Sequence, residues 1–212
     1  MVNKTHIITE QKTEAPPVPE QPTQITNDVI QLVKKAVDGE VEAFGKLYDI
    51  FLSRIYRYVF YQVKVKMLAE DLTEDIFLKA WKAIGKYRGD GPSFQTWLYR
   101  IANNHIIDYF RTNREIAQLD PEISINSYSY QDTGDPKELA ETSIMHEKVM
   151  EQVSCLPFNQ RQIIIFKFIE GMENREIEQI TGKKQGAIRI LQMRALNTLY
   201  MQLQTSEIKE NK

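Results

Sequence analysis

Residues 68–114 read LAEDLTEDIFLKAWKAIGKYRGDGPSFQTWLYRIANNHIIDYFRTNR. Apolar residues recur here at helical spacing on both sides of a loop that holds Gly85, Gly89, Gly91 and Pro92, so the stretch is predicted to form two helices joined by a short break. In the first, from about Lys66 to Ala83, a rotation of ~100° per residue puts Leu72, Ile76, Phe77, Ala80, Trp81 and Ile84 on one broad side. Asp71, Glu74, Asp75, Leu78 and Lys82 share the other, so Leu78 is an apolar residue among charges. Periodicity alone fits either a solvated face with one stray leucine or a protein-docking face. Ser93 stands where the second helix needs an N-cap. Phe94, Trp97, Leu98, Ile101, His105 and Tyr109 then line one face, the expected core side. Tyr99, Asn103, Ile106 and Phe110 line another, flanked by Arg100, Ile107, Arg111 and Arg114. Rings that stack on bases, guanidinium groups that hold phosphates and amides that read base edges suit single-stranded nucleic acid. A helix buried on two sides would carry the same residues, and both readings stay open at this point.

Upstream, Val29, Ile30, Val33, Ala36 and Val37 mark a helix that Asp38-Gly39 should stop. Ala43, Phe44, Leu47, Tyr48, Phe51, Ile55, Tyr58 and Val59 mark a long amphipathic one over 41–62. Residues 1–26, with Pro16, Pro17, Pro19 and Pro22 among polar residues, read as a disordered tail. Downstream, 115–137 has no hydrophobic period and reads as a flexible linker. Asp135-Pro136 should open a second helical unit, in which Leu139, Met145, Val149, Val153 and Leu156 lead to Pro157. Pro157 starts a helix that Gly171 ends. Asn174 is the expected cap of a short helix to Thr181, Gly182 makes the turn, and a longer helix runs from Lys183 to about Met201. Ile188, Leu191, Ala195 and Leu199 form its inward stripe, and Gly186, Arg189, Ile190, Met193 and Asn197 its outward one. A short helix, a glycine turn and a longer helix with basic residues at its start is helix-turn-helix geometry.

Residues 69–84 (AEDLTEDIFLKAWKAI) followed by 93–111 (SFQTWLYRIANNHIIDYFR) resemble conserved region 2 of bacterial sigma factors, most closely the small extracytoplasmic-function type. Residues 156–196, LPFNQRQIIIFKFIEGMENREIEQITGKKQGAIRILQMRAL, resemble sigma region 4, in the expected order after region 2. The resemblance implies an all-α chain of two small helical domains, a region 2-like four-helix domain over 27–114 and a region 4-like helix-turn-helix domain over 138–204. A flexible acidic linker over 115–137 would join them, with tails at 1–26 and 205–212. It implies core RNA polymerase and promoter DNA as partners, and an anti-sigma factor as a separate regulator. Asp71, Glu74, Asp75 and Leu78 would dock on the polymerase clamp helices. Tyr87, Arg88, Trp97, Arg100, Asn103, Asn104 and Arg111 would border the unwound −10 strand. Lys183, Lys184, Gln185, Arg189 and Arg194 would lie on the −35 duplex. The chain departs from the family at Glu178, where alanine is frequent, and at Ile190-Leu191-Gln192-Met193-Arg194, which lacks one of the usual recognition-helix arginines.

Charge and composition agree with that expectation. The net charge of −2 conceals segregation: 14 Lys+Arg against 11 Asp+Glu over 27–114, one lysine against eight acids over 115–147, and eight basic against five acidic residues over 148–204. Two weakly basic segments point to a DNA reader that leans on a partner for affinity. No apolar run reaches the ~18 residues of a membrane span and no signal pattern opens the chain, so a soluble cytoplasmic protein with no membrane insertion is expected. The single Cys155, flanked by Val153 and Leu156, reads as a packed small residue. His105 and Asp108 are spaced for half a metal site with no further ligand motif. There is no phosphate loop or nucleophile elbow, so neither cofactor, metal nor catalysis is expected. The alternatives are a helix-turn-helix regulator, which has no need of the acid-and-Leu78 face, and a sigma-like polymerase-binding protein without promoter selectivity.

Overall fold

A computed structural model of the chain describes the backbone over 22–119 and 144–210 and the side chains over 27–113 and 149–204. The expected tail at 1–26, apart from the backbone from Pro22 on, lies outside the described residues. So do most of the linker and the Asp135-Pro136 start. The described residues are all-helical. The first four helices are α1 (Pro22–Val37), α2 (Val41–Val63), α3 (Lys66–Ala83) and α4 (Phe94–Leu119), with a 3-10 turn at Ile84–Lys86. The second four are α5 (Ile144–Cys155), α6 (Phe158–Ile164), α7 (Asn174–Thr181) and α8 (Gln185–Glu210). A π turn over Ile165–Ile169 extends α6. There the Glu170 N–H reaches back five residues to the Ile165 carbonyl at 3.0 Å.

Local chemistry sets several helix ends. Gly39 (φ 95), Gly171 (φ 69) and Gly182 (φ 68) take the left-handed conformation that only glycine adopts without steric cost. Ser93 Oγ accepts the Thr96 N–H at 3.2 Å, the expected cap of α4. The cap of α7 is Glu173 rather than Asn174: the Glu173 N–H donates to Glu176 Oε2 at 2.9 Å, which starts the helix one residue earlier. Asn174 instead accepts from Gln192 Nε2 at 3.0 Å and ties α7 to α8. Cys155, expected to be packed, is exposed, because Val153 and Leu156 take the inward positions at the end of α5.

Lys64 ends α2 in the left-handed region (φ 60), its N–H donating to Phe60 O at 2.7 Å, because α3 begins only two residues later. That conformation costs a residue with a Cβ about 1 kcal/mol. Lys64→Gly is therefore expected to raise the melting midpoint by a few degrees, about 1 kcal/mol at most after glycine's own entropy. A lower midpoint by thermal circular dichroism would show that Lys64 makes contacts worth more than its strain.

Helices α2, α3 and α4 pack on one another, with α1 against α2; α6 and α7 pack on α8, with α5 against α6 and α8. The edge-to-face pairs Phe44–Trp81 (4.9 Å), Tyr48–Phe77 (4.7 Å) and Phe51–Phe94 (5.4 Å) fill the first set. The two sets do not stand apart. Helix α7 lies along α4, α6 meets α2, and the buried apolar residues form one continuous core across all eight helices.

Candidate functional site

Three surfaces carry the candidate residues. On α3, Leu72, Ile76, Phe77 and Ala80 are buried, and this orients Asp71, Glu74, Asp75 and Leu78 outward. Leu78 is 49% exposed, flanked by these acids, as the periodicity placed it. Asp75 Oδ2 lies 3.4 Å from His105 Nε2 on α4, and Lys79 Nζ lies 2.6 Å from His105 Nδ1. Burial and the Lys79 charge hold the His105 pKa below its usual value, partly offset by Asp75. His105 thus joins α3 to α4 instead of pairing with Asp108, and the described residues contain no group of three or more His, Cys, Asp and Glu that could hold a metal.

The second surface is the loop and the outer side of α4. Tyr87 Oη donates to the Pro92 carbonyl at 2.9 Å and closes the loop on itself. Its ring packs on Trp97 (5.3 Å) and Phe94 (5.9 Å), so Tyr87 is half-buried and Trp97 buried. Arg88, Arg100, Asn104 and Arg111 are exposed, with Arg111 Nη2 paired to Asp108 at 3.1 Å. Asn103 is not available to a ligand here: it is 2% exposed. Its Nδ2 donates to the Ile180 carbonyl at 3.2 Å, and its Oδ1 accepts from Gln162 Nε2. Tyr99 and Ile106 are buried beside it. The second face of α4, which periodicity left open between nucleic acid and packing, is covered in this conformation by α7 at Asn103 and by Phe166 at Tyr99.

The third surface is the outside of α8. Lys183 and Lys184 precede the helix rather than starting it, and Gln185 is its first residue. The departure at Glu178 has a partner in Gln185, whose Nε2 donates to Glu178 Oε2 at 3.1 Å. With Ile188, Ala195 and Leu199 buried, Arg189 and Arg194 are exposed ~140° apart around the axis. Between them lie Gly186, Met193 (58% exposed), Asn197 and Ile190 (49%). Such a strip can meet thymine methyls with its apolar residues and phosphate or guanine with its two arginines.

The sequence reading missed the residues that join the two helical sets. Glu170, its side chain 1% exposed, accepts from Arg54 Nε (3.0 Å) and Nη2 (2.7 Å) and lies 3.8 Å from Arg57 Nη2. Burial opposes the Arg54 charge, and Glu170 and Tyr99 together outweigh it, so the pKa is raised. Arg161 Nε and Nη2 donate to Gln62 Oε1 and O, both at 3.2 Å, and Nη1 to Ser154 O at 2.7 Å. Burial lowers the Arg161 pKa. Thr96 Oγ1 donates to Glu176 Oε1 at 3.1 Å. At the centre the Phe166 ring stacks on Tyr58 (4.9 Å) and meets the Tyr99 edge (5.6 Å). Burial raises both phenol pKa values. The one available signal was an acid at the end of the apolar run IIIFKFIE, which spacing alone does not distinguish from a solvated helix end.

Two family models match the chain: Sigma-70 region 2 over residues 47–116 and Sigma-70, region 4 over residues 146–199. The chain is 33% identical over 171 residues to the ECF RNA polymerase sigma factor BldN of Streptomyces coelicolor, a match covering 81% of this chain and 64% of that protein. It is 30% identical over 176 residues to the ECF RNA polymerase sigma factor SigX of Bacillus subtilis, covering 80% and 89%. It thus spans less than two thirds of BldN and most of SigX. The fold is similar to that of the sigma factor RpoE of Bartonella quintana, solved with the anti-sigma factor NepR (TM-score 0.66, 21% identity, 77% of this chain and 98% of that one). It is also similar to that of CnrH, solved with the cytosolic domain of CnrY (TM-score 0.59, 22% identity, 84% and 97%). At these identities the likeness is one of fold.

Proposed function

The chain belongs to the ECF RNA polymerase sigma factors, with sigma-70 regions 2 and 4, and on that premise we propose that it directs core RNA polymerase to promoters as an alternative sigma factor in the cytoplasm. The observation that carries this reading is the pairing, on one chain, of an exposed acid-and-leucine face on α3 with an exposed arginine-flanked strip on α8. The first would engage polymerase through Asp71, Glu74, Asp75 and Leu78. The loop and α4 would border the unwound −10 strand with Tyr87, Arg88, Trp97, Arg100, Asn104 and Arg111, and with Asn103 only where it is released from the Ile180 carbonyl that holds it in this conformation. Flipped bases can be read there by stacking and by hydrogen bonds to their edges. Lys183, Lys184, Gln185, Arg189 and Arg194 would hold the −35 duplex. Region 2 would occupy 27–114 and region 4 138–204. No helix among the described residues is long and apolar enough to cross a membrane. Members of this group are initiation factors and leave the chemistry of RNA synthesis to the polymerase. By analogy with the complexes of RpoE and CnrH, an anti-sigma partner would regulate it.

Run-off transcription with purified core polymerase and genomic promoter fragments tests the proposal directly. Start sites that depend on this chain are the expected result; a shift of duplex DNA with no polymerase binding would favour a plain helix-turn-helix regulator. Within the same assay Arg189→Ala is expected to lose about 1–3 kcal/mol of promoter affinity, roughly ten- to a hundredfold, through one phosphate or guanine contact. Unchanged affinity would remove Arg189 from the upstream surface.

A further inference from the structure

Helix α8 has 26 residues, ~39 Å at ~1.5 Å per residue. The residues assigned to the −35 duplex end at Arg194, and the groove takes up the first turns of a recognition helix, so the distal half of α8 projects past the DNA. From Ala195 to Ser206 that half carries no charged residue. Its inward side, with Ala195 and Leu199, is buried in the core. The outward side is apolar as well: Met193 is 58%, Leu196 46% and Tyr200 62% exposed. A helix covered on one side only keeps polar and charged residues on the other, whereas one apolar all round is covered all round. Among the described residues nothing covers the outward side of α8.

The spacing defines what fits there. Ile190, Met193, Asn197, Tyr200 and Gln204 alternate by three and four positions and fall within an arc of ~80°. That is the seam of a two-helix coiled coil. Tyr200 Oη accepts from Gln204 Nε2 at 2.7 Å along it. A second α8 laid antiparallel, about a two-fold axis between Asn197 and Tyr200, sets Asn197 against the partner's Tyr200 and Met193 against the partner's Gln204. The flanking positions agree with this register. Leu196 falls beside position 203 of the other copy, a leucine, and Arg189 beside position 210, a glutamate. The basic end of one helix, with Lys183, Lys184, Arg189 and Arg194, thus lies along the acidic end of the other, with Glu207 and Glu210. No like charges meet at the charge-free centre, and the two helix dipoles oppose. A parallel pair would set like ends together.

We propose that the free chain forms a two-fold dimer through the outward seam of α8, paired antiparallel, which covers Arg189, Ile190 and Met193 and withholds the −35 surface until duplex DNA displaces the second copy. The withholding rests on the sigma-factor reading; the dimer does not. One helix pair buries less than the ~1,200 Å² of stable complexes, so the dimer is weak, with a dissociation constant on the order of 10 μM.

Sedimentation velocity of the full-length chain from about 1 to about 200 μM, spanning that constant, tests it. Wild type is expected to pass from monomer to dimer over this range. Leu196→Glu/Tyr200→Glu changes two exposed residues outside those assigned to DNA and brings like charges together across the seam. It is expected to stay monomeric throughout, with an unchanged circular dichroism spectrum. Glu210→Arg is expected to weaken the dimer about three- to tenfold at low salt, and Arg189→Glu added to it to restore the dimer, since reversing both charges recreates the pair. A promoter duplex from the run-off set is expected to convert the wild-type dimer into a DNA-bound monomer. A wild type still monomeric at the highest concentration, or a dimer that survives Leu196→Glu/Tyr200→Glu, overturns the dimer. In the first case, weaker retention of that variant by core polymerase assigns the face to polymerase. Failure of the double reversal to restore pairing overturns the antiparallel register, and a dimer that binds the duplex intact overturns the withholding. Absence of run-off products with wild type defeats the sigma-factor reading and with it the withholding, while the oligomeric state is decided independently.

Discussion

The double substitution Glu74→Lys/Leu78→Lys is expected to abolish retention by core polymerase, and with it all run-off transcription, while leaving the fold intact. Leu78 is 49% exposed and Glu74 lies on the same outward face. An apolar side chain ringed by acids fits the pattern of an interface anchor, which contributes 2 kcal/mol or more when it fills a pocket in the partner. Reversing the neighbouring charge adds repulsion against a basic surface. The combined loss should exceed about a hundredfold in affinity. Neither residue packs into the core, so the unfolding free energy from urea titration should change by less than about 0.5 kcal/mol. Co-elution of the variant with core polymerase at wild-type affinity would place the docking surface elsewhere on the chain.

Phe166→Ala is expected to have the largest effect on stability. The ring is fully buried in the π turn, stacked on Tyr58 of α2 and against the edge of Tyr99 of α4. Its removal leaves a cavity bounded by both halves, at a cost of about 3–5 kcal/mol. Such a loss is a large fraction of the total for a domain of this size. Equilibrium urea unfolding measures it, with fluorescence of Trp81 and Trp97, both in the first half, and far-ultraviolet circular dichroism of the whole chain as two probes. If the ring joins the halves as described, the variant should separate the two transitions, because the junction that couples them is weakened. A loss below about 1 kcal/mol would mean that Phe166 does not bridge α2 and α4. Phe166→Leu, which keeps most of the volume, should recover roughly half of the loss.

These two residues mark the extremes of what the chain shows before it folds. Leu78 could be placed from residues within one turn of it, since a rotation of ~100° per residue puts it on the opposite side from Ile76 and Phe77. Phe166 stands in the apolar run IIIFKFIE, but its neighbours Tyr58 and Tyr99 are far away in sequence, and no local period points to them.

Local order is what the sequence determined by itself. Spacing placed the helices, and glycines at 39, 171 and 182 together with Ser93 ended or capped them, because φ > 0 and an orphan N–H are demands made within a few residues. The errors at that level were small. Glu173 outcompetes Asn174 as a cap because Glu176 answers it, Lys183 and Lys184 fall just outside α8, and Cys155 turns outward at the end of α5. The two family motifs were legible in the same way, as contiguous strings. The fate of the second face of α4 was decided only by the tertiary structure. Tyr99, Asn103 and Ile106 have one angular position whether a DNA strand or protein covers them, and the groups that meet this face, Phe166 against Tyr99 and Ile180 of α7 against Asn103, come 67 and 77 positions later in the chain. The pairing of Glu170 with Arg54 and Arg57 is of the same kind. A carboxylate and two guanidiniums separated by 116 residues at the closest bond carry no sign of each other in a sequence, and only burial in a shared core brings them within 4 Å.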